Sequence, residues 1–429
     1  VETGRAAAGK ILPKHWPGSM VIKILEDKVM EMNSNNTGNR QALSSGAAAD
    51  AFESIRPFED SELPQVFDRL LKDSQFQQVL AAVFPNVPLE TLRQKLNGCK
   101  TLLDFQLAFI YDLVKGILAK ASTGYEMDSD SLDKNGHYTF ISNHRDIVLD
   151  SAILDVLLMD NKFTTTCEIA IGDNLLKYPW IKDVVRLNKS FIVERSLPMR
   201  QLLLASKRLS DYMHYAISTK HDNIWIAQRE GRAKDSDDRT QKSILQMMAM
   251  GGEGTPVERL KGLHIVPLAI SYEYDPCDFL KAKEFQQRRD TADFHKGEND
   301  DVVSMRTGIF GFKGHIHYHC APCIDGYLDS LDDKMPKGQL FENVAKYIDS
   351  QIHRNYRLYP NNFIALDELK GTDHSDRYTD EDKHTFDRYI AGQMQKIDLA
   401  NKDEAFLHER LLTMYANPAV NYLKAREEK

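Results

Sequence analysis

Apolar positions along this chain change their spacing several times, and each change marks a change of structure. Between Ala51 and Ser122 they recur every three or four residues: Leu63, Val66, Phe67, Leu70 and Leu71, then Phe76, Val79, Leu80 and Val83. That spacing returns side chains to one helix face, so the segment is expected to be helical. Pro85 and Pro88 interrupt it, and Leu89, Leu92 and Leu96 open another helix. The most apolar long run, 101–119, is broken by Asp104, Asp112, Lys115 and Gly116. It reads as a core helix or one lying on a bilayer surface rather than a membrane span. Ahead of all this, residues 31–50 are rich in Asn, Ser, Gly and Ala, the composition of a flexible linker.

Past residue 136 the pattern alternates between short β-favouring runs and longer helical ones. Strands are expected at 137–142, 166–171, 189–194, 223–228, 263–271 and 315–320, with helices at 147–160, 197–219 and 239–250. Such alternation predicts an α/β fold, a mostly parallel central sheet with helices on both faces. N- and C-terminal helical segments are expected to flank it. Residues 126–136 read as an acidic, turn-rich loop, and 277–306, charged and poorly patterned, as an insertion or mobile loop. Further on, 340–359 reads as a helix stopped by Pro360, 371–384 as an acidic turn region, and 386–412 as an amphipathic helix. The expected organisation is a flexible segment 1–50, a helical domain 51–130, an α/β domain 131–335 and a helical segment 336–429.

Composition narrows the classes open to such a fold. A chain of 429 residues, 42% hydrophobic and 28% charged, can bury a large globular core. Its 55 basic and 63 acidic residues, net −8, argue against nucleic acid as the main partner and do not favour an anionic bilayer. Five cysteines (Cys99, Cys167, Cys277, Cys320, Cys323) in so long a chain suit a reducing, cytoplasmic setting. The first twenty residues lack the apolar core of a secretory signal.

The candidate chemistry begins in residues 137–150, H-Y-T-F-I-S-N-H-R-D-I-V-L-D. A β-rich run breaks at Ser142-Asn143, delivers His144, Arg145 and Asp146, and enters an apolar run for which Asp146 is a good N-cap. An imidazole of ordinary pKa, about 6.5, can take a proton from a hydroxyl if a carboxylate holds its tautomer. On a regular helix neither Asp146 nor Asp150 would face His144, so the histidine must sit in the turn ahead of the helix. Three further stretches stand out: N-K-S-F-I-V-E-R-S at 188–196, N-I-W-I-A-Q-R-E-G-R-A-K-D at 223–235, and L-H-I-V-P-L-A-I-S-Y-E-Y-D-P at 263–276. In the second of these, Arg229, Arg232 and Lys234 flank the glycine turn at a strand end, an arrangement suited to a phosphate monoester. In the third, Pro267 marks a sheet edge or bulge, and the strand is expected to shape a channel wall rather than take part in chemistry.

In this order the four stretches resemble the glycerolipid acyltransferases, the superfamily of glycerol-3-phosphate and 1-acylglycerol-3-phosphate acyltransferases. N-H-R-D-I-V-L-D is similar to that family's His-x4-Asp block, S-F-I-V-E-R to its G-x-I-F-I-x-R block, R-E-G-R to its E-G-T-R block and V-P-L-A-I to its V-P-(V/I)-x-I strand. The resemblance spans roughly residues 137–330. It implies direct transfer of a fatty acyl chain, without an acyl-enzyme, from acyl-CoA or acyl carrier protein to a hydroxyl of lysophosphatidate or glycerol 3-phosphate. His144 would be the general base, oriented by an aspartate. Arg195, Arg232 and Lys234 would hold the acceptor phosphate, with Glu230 and Gly231 shaping the turn. No metal or dissociable cofactor is implied.

Two departures from the family pattern matter. Asp150 lies one residue beyond the usual spacing, with Leu149 in the family's aspartate position, so either Asp150 reaches His144 through a bulged turn or Asp146 takes the orienting role. Asp150 is favoured, because it leaves Asp146 to cap the helix. R-E-G-R is also one residue short when aligned on Glu230, which touches the role of Glu230 more than that of Arg232. A rival signal is G-H-I-H-Y-H-C-A-P-C, whose His315, His317 and His319 share one strand face beside Cys320 and Cys323, donors that suit zinc. A polar alternating strand is the preferred reading there. The expectation is thus a cytoplasmic acyltransferase, at most peripheral on the inner face of a membrane. The alternatives are an O-acyltransferase of a lyso-aminolipid, or a metal-binding or scaffold protein that keeps the fold without the activity.

Overall fold

The structure, a computed structural model, describes residues 51–427 apart from Asn86, Lys177, Ser196, Glu298 and Asp333. The linker expected at 31–50 lies outside the described residues. Seven strands form one sheet: β1 Gly124–Asp128, β2 Thr139–Ser142, β3 Cys167–Gly172, β4 Ser190–Val193, β5 Asn223–Ala227, β6 Ile265–Tyr272 and β7 His315–Cys320. Their order across the sheet is β1-β7-β6-β2-β5-β3-β4. Every neighbouring pair is parallel except β6 with β7. This is an α/β fold around a mostly parallel sheet.

Alternation along the central strands divides the core between the two faces. Ile141, Ile224, Ile226, Ile265 and Ala269 face one cluster, which the helices Met199–Tyr215, Lys242–Met248, Pro256–Lys261 and Lys337–Arg354 cover. Phe140, Trp225, Val266, Leu268 and Ile270 face the other, against Asp112–Ala121 and Leu149–Asp160. The latter helix is buried from Leu149 to Leu158. Two satellite clusters complete the chain. One is built by the helices between Leu63 and Phe109 with Leu187, the other by Ala282 and the helices Pro360–Lys370, Asp380–Gln395 and Glu404–Glu427.

The run 101–119 is a core helix, not an interfacial one. It continues from Leu102 to Ala121 through a π-helical stretch, Gln106–Tyr111, and buries Leu102, Phe105, Phe109, Val114, Ile117 and Leu118. The π stretch contains buried Gln106, whose amide meets Asp155 and Asn188 at 3.3 and 3.2 Å and accepts from Thr166 at 2.5 Å. No helix among the described residues is long and apolar enough to cross a membrane.

Four expectations need correction. Part of the loop assigned to 126–136 is strand β1; it turns only Tyr125 and Met127 to the core, between Glu126 and Asp128, so the alternation is too short to stand out from an acidic turn. Residues 277–306 are not a mobile loop but largely two helices, Asp278–Asp290 and Asp300–Phe310. The first buries Asp278, Lys281 and Gln286 through polar bonds, so it shows no apolar stripe to read. Pro360 does not stop a helix at 359; the earlier helix ends at Arg354, and Pro360 opens the next at N1, where its missing N–H costs nothing. Pro267 sits in the central strand β6, not at an edge. Its carbonyl accepts from Ala321 on the β7 side, just where the β7 ladder ends at Cys320, so the absent donor leaves no rung broken.

Candidate active site

Strands β2, β3, β4, β5 and β6 run the same way, so the segments that follow them emerge at one end of the sheet. In open α/β sheets that carboxyl end is where ligands bind. His144 follows β2, Arg195 follows β4, Glu230 to Lys234 follow β5, and Tyr272 closes β6.

The turn after β2 is held from three sides. Asn143 is fully buried, and its amide donates to Ile270 O at 2.9 Å and accepts from Ile270 N at 2.8 Å, locking the turn to β6. Arg145 turns inward to Asp238 at 2.7 Å, and Tyr356 donates to the same carboxylate at 2.6 Å. Asp146 accepts from Val148 N and Leu149 N at 2.9 and 2.8 Å, so its carboxylate caps the turn while the helix proper starts at Leu149, two residues later than expected. Burial and the nearby charge of Asp150 push the Asp146 carboxyl up.

The extra residue in this turn brings Asp150, not Asp146, to the histidine. His144 Nδ1 lies 2.8 Å from Asp150 Oδ2, which also accepts from Arg145 N at 2.6 Å. Asp150 is completely buried, whereas His144 keeps some exposure and packs edge-on to Trp225, 5.6 Å between ring centroids. Nothing among the described residues bonds to His144 Nε2. The other Asp150 oxygen accepts from Tyr272 at 2.9 Å, and Tyr318 donates to the Asp150 carbonyl at 2.9 Å. Burial and the neighbouring charges push the Tyr272 phenol well up, which keeps it a donor. Sequence reading missed Tyr272, having assigned β6 to a channel wall; a Tyr two residues past the end of V-P-L-A-I was the available signal.

The arginines behave differently from one another. Arg195 is exposed, 3.4 Å from Glu230, a contact that joins the second and third blocks across β3. Its backbone N–H meets Asp173 at 3.3 Å. Gly231 has φ +66°, a left-handed turn that glycine enters without strain. Beyond it Arg232 points inward, and its Nη1 is sealed from solvent without a hydrogen-bond partner, as is Nε of Arg229. Lys234 is not grouped with them, being paired with Glu284. A small cleft lined by Arg145, Tyr272, Asp275, Tyr356 and Tyr415 lies behind the turn and does not include His144.

The carboxyl end of the sheet thus carries an imidazole held on a buried carboxylate and, on the segment after β5, two arginines with unpartnered buried nitrogens. Residues 126–271 match the family model described as Acyltransferase. These residues form an acyltransferase domain. Together with the four sequence blocks, the match places the domain in the glycerolipid acyltransferase superfamily. No curated protein matches the chain by sequence. Among solved structures, the chain is similar to the 1-acyl-sn-glycerophosphate acyltransferase PlsC from Thermotoga maritima at 11% identity and a TM-score of 0.34, covering 66% of this chain and 85% of that one. The acyltransferase domain takes in β1 to β6 nearly whole; β7 and the flanking helices lie outside the matched residues.

Proposed function

We propose that the chain transfers a fatty acyl group from a thioester, acyl-CoA or acyl carrier protein, to a hydroxyl of lysophosphatidate or glycerol 3-phosphate. The observation that carries this reading is the contact between His144 Nδ1 and Asp150, which leaves Nε2 to face a substrate. Nε2 takes the proton as the acceptor oxygen attacks the thioester carbonyl carbon. The C–S bond then breaks, an ester C–O bond remains, and the imidazolium returns its proton to the departing thiolate. Asp150 stabilises the imidazolium through its charge, and no covalent enzyme intermediate is needed.

For the acceptor, the unfilled donors of Arg232 and Arg229 support a phosphate site, with Arg195 at its exposed rim. Glu230 positions Arg195, and Gly231 makes the turn that sends Arg232 inward. Lys234 is assigned no phosphate contact, since Glu284 already neutralises it. Lysophosphatidate is preferred to glycerol 3-phosphate as acceptor, and attachment to the surface of a membrane is part of the proposal.

The test is an acyl-transfer assay with labelled acyl-CoA and acyl carrier protein donors against a panel of glycerol phosphate, lysophosphatidate and lyso-aminolipid acceptors. Wild type should acylate a phosphorylated glycerol acceptor, and His144→Ala should not. Transfer retained by His144→Ala refutes the mechanism, and a preference for lyso-aminolipids refutes the acceptor.

A further inference from the structure

The histidines and cysteines at the end of β7 are parted by the fold. His317 and His319 share Asp128, at 3.0 and 3.4 Å, and His315 takes the Tyr359 hydroxyl at 3.1 Å. Cys323 instead joins His264 and Asp325. The ligand-type atoms of these three residues lie within 4.8 Å of one another. His264 directly precedes β6 and His144 lies two residues past the end of the parallel β2, so this cluster sits at the opposite end of the sheet from the transfer site.

We propose that His264, Cys323 and Asp325 bind one divalent transition-metal ion, zinc by preference. A thiolate, an imidazole and a carboxylate form the mixed sulfur, nitrogen and oxygen set that zinc accepts in tetrahedral sites. The charges close: a thiolate and a carboxylate balance a divalent cation, and the imidazole binds neutral. His264 Nδ1 and Asp325 Oδ2 are hydrogen-bonded at 2.7 Å, a contact the ion would replace, and the buried Oδ1 of Asp325 has no hydrogen-bond partner among the described residues. His264 is half-exposed, which leaves the fourth position to water.

The ligands are also held where an ion would need them. The 321–325 segment runs beside the start of β6, with Ala321 N on Pro267 O and Ile324 N on Ile265 O, both at 2.9 Å. Ile324, between the two ligands on this segment, is 1% exposed and anchors it in the core. His264 is fixed in the left-handed region, φ 46°, by bonds from its N–H to Lys261 O and from Thr139 N to its carbonyl. An ion joining the turn before β6 to the turn after β7 would clamp the one antiparallel pair of the sheet.

Full-length protein, stripped with chelator under reducing conditions, is titrated with cobalt(II). A thiolate-to-cobalt charge-transfer band in the near ultraviolet should saturate at one equivalent and vanish on addition of one equivalent of zinc. Cys323→Ser should abolish the band, and His264→Ala and Asp325→Asn should each weaken cobalt binding about tenfold or more. His144→Ala should titrate as wild type does, which separates this site from the transfer site. Zinc should raise the melting temperature of stripped wild type but not of Cys323→Ser. A wild-type titration without the band overturns the proposal whatever the variants do, as does a band that survives in Cys323→Ser.

Discussion

Tyr272 donates its hydroxyl to Asp150 Oδ1 at 2.9 Å, so the strand that follows the third block in sequence holds the carboxylate that holds His144. Both Asp150 oxygens are thereby occupied, and the acid cannot rotate away from the imidazole. Tyr272→Phe should lower kcat roughly thirtyfold, the worth of one hydrogen bond of about 2 kcal/mol to a charged group, while KM for the acceptor changes little. Steady-state kinetics on both substrates check this. An unchanged kcat would show that Arg145 N alone orients Asp150.

Asp146 and Asp150 should part company on substitution. Asp150→Asn should lose about two to four orders of magnitude in kcat, the range that general-base catalysis contributes. Asp146→Asn keeps an acceptor for Val148 N and Leu149 N and does not touch His144, so it should retain activity within a few-fold. A side-by-side assay of the two variants, with melting curves to confirm folding, decides the matter.

Arg232→Ala and Arg195→Ala should both raise KM for a phosphorylated acceptor, and Arg232→Ala more strongly. Arg232 offers a sealed, unfilled donor, whereas Arg195 is exposed and screened by solvent and Glu230. Losing a charge-assisted bond of about 2 kcal/mol corresponds to roughly thirtyfold. Acceptors lacking the phosphate should show no difference between wild type and either variant.

The C-terminal helices should respond to pH through Asp278. Burial, and then the charge of Asp275, push this carboxyl up to about 7 from an ordinary 3.8. Its folded form therefore binds a proton that the unfolded chain releases near pH 4. The stabilisation from that proton is complete below pH 4 and is lost as pH rises towards 7. Asp278→Asn, neutral at every pH, should flatten this part of the stability profile between pH 4 and 7. Melting temperatures of wild type and variant across that range give the comparison; parallel profiles would refute the assignment.

Much of the central sheet was legible because its strands are buried on both faces and so read as short apolar runs between turns. The six strands expected from 137 onward are all present, shortened by a residue or two in most cases. Strand β1 and the helix Asp278–Asp290 were not legible. Strand β1 offers only Tyr125 and Met127 between acidic residues, too short an alternation to tell from a turn, and a helix packed through Asp278, Lys281 and Gln286 carries its buried face in polar residues.

The candidate site divides in the same way. By itself the sequence determined which chemical groups stand at strand ends: His144 in a turn, two aspartates within six residues of it, and arginines around Gly231. Only the tertiary structure decided between the aspartates, through a bulged turn that delays the helix to Leu149 and carries Asp150 to the imidazole. It alone joined Tyr272 to Asp150 across 122 residues, Arg195 to Glu230 across β3, and Cys323 to His264 instead of to the histidines beside it. The physical reason is one of range. Periodicity and turn chemistry act over a few residues and are written locally, whereas a hydrogen bond between strands depends on their order in the sheet, and burial of the whole core sets that order.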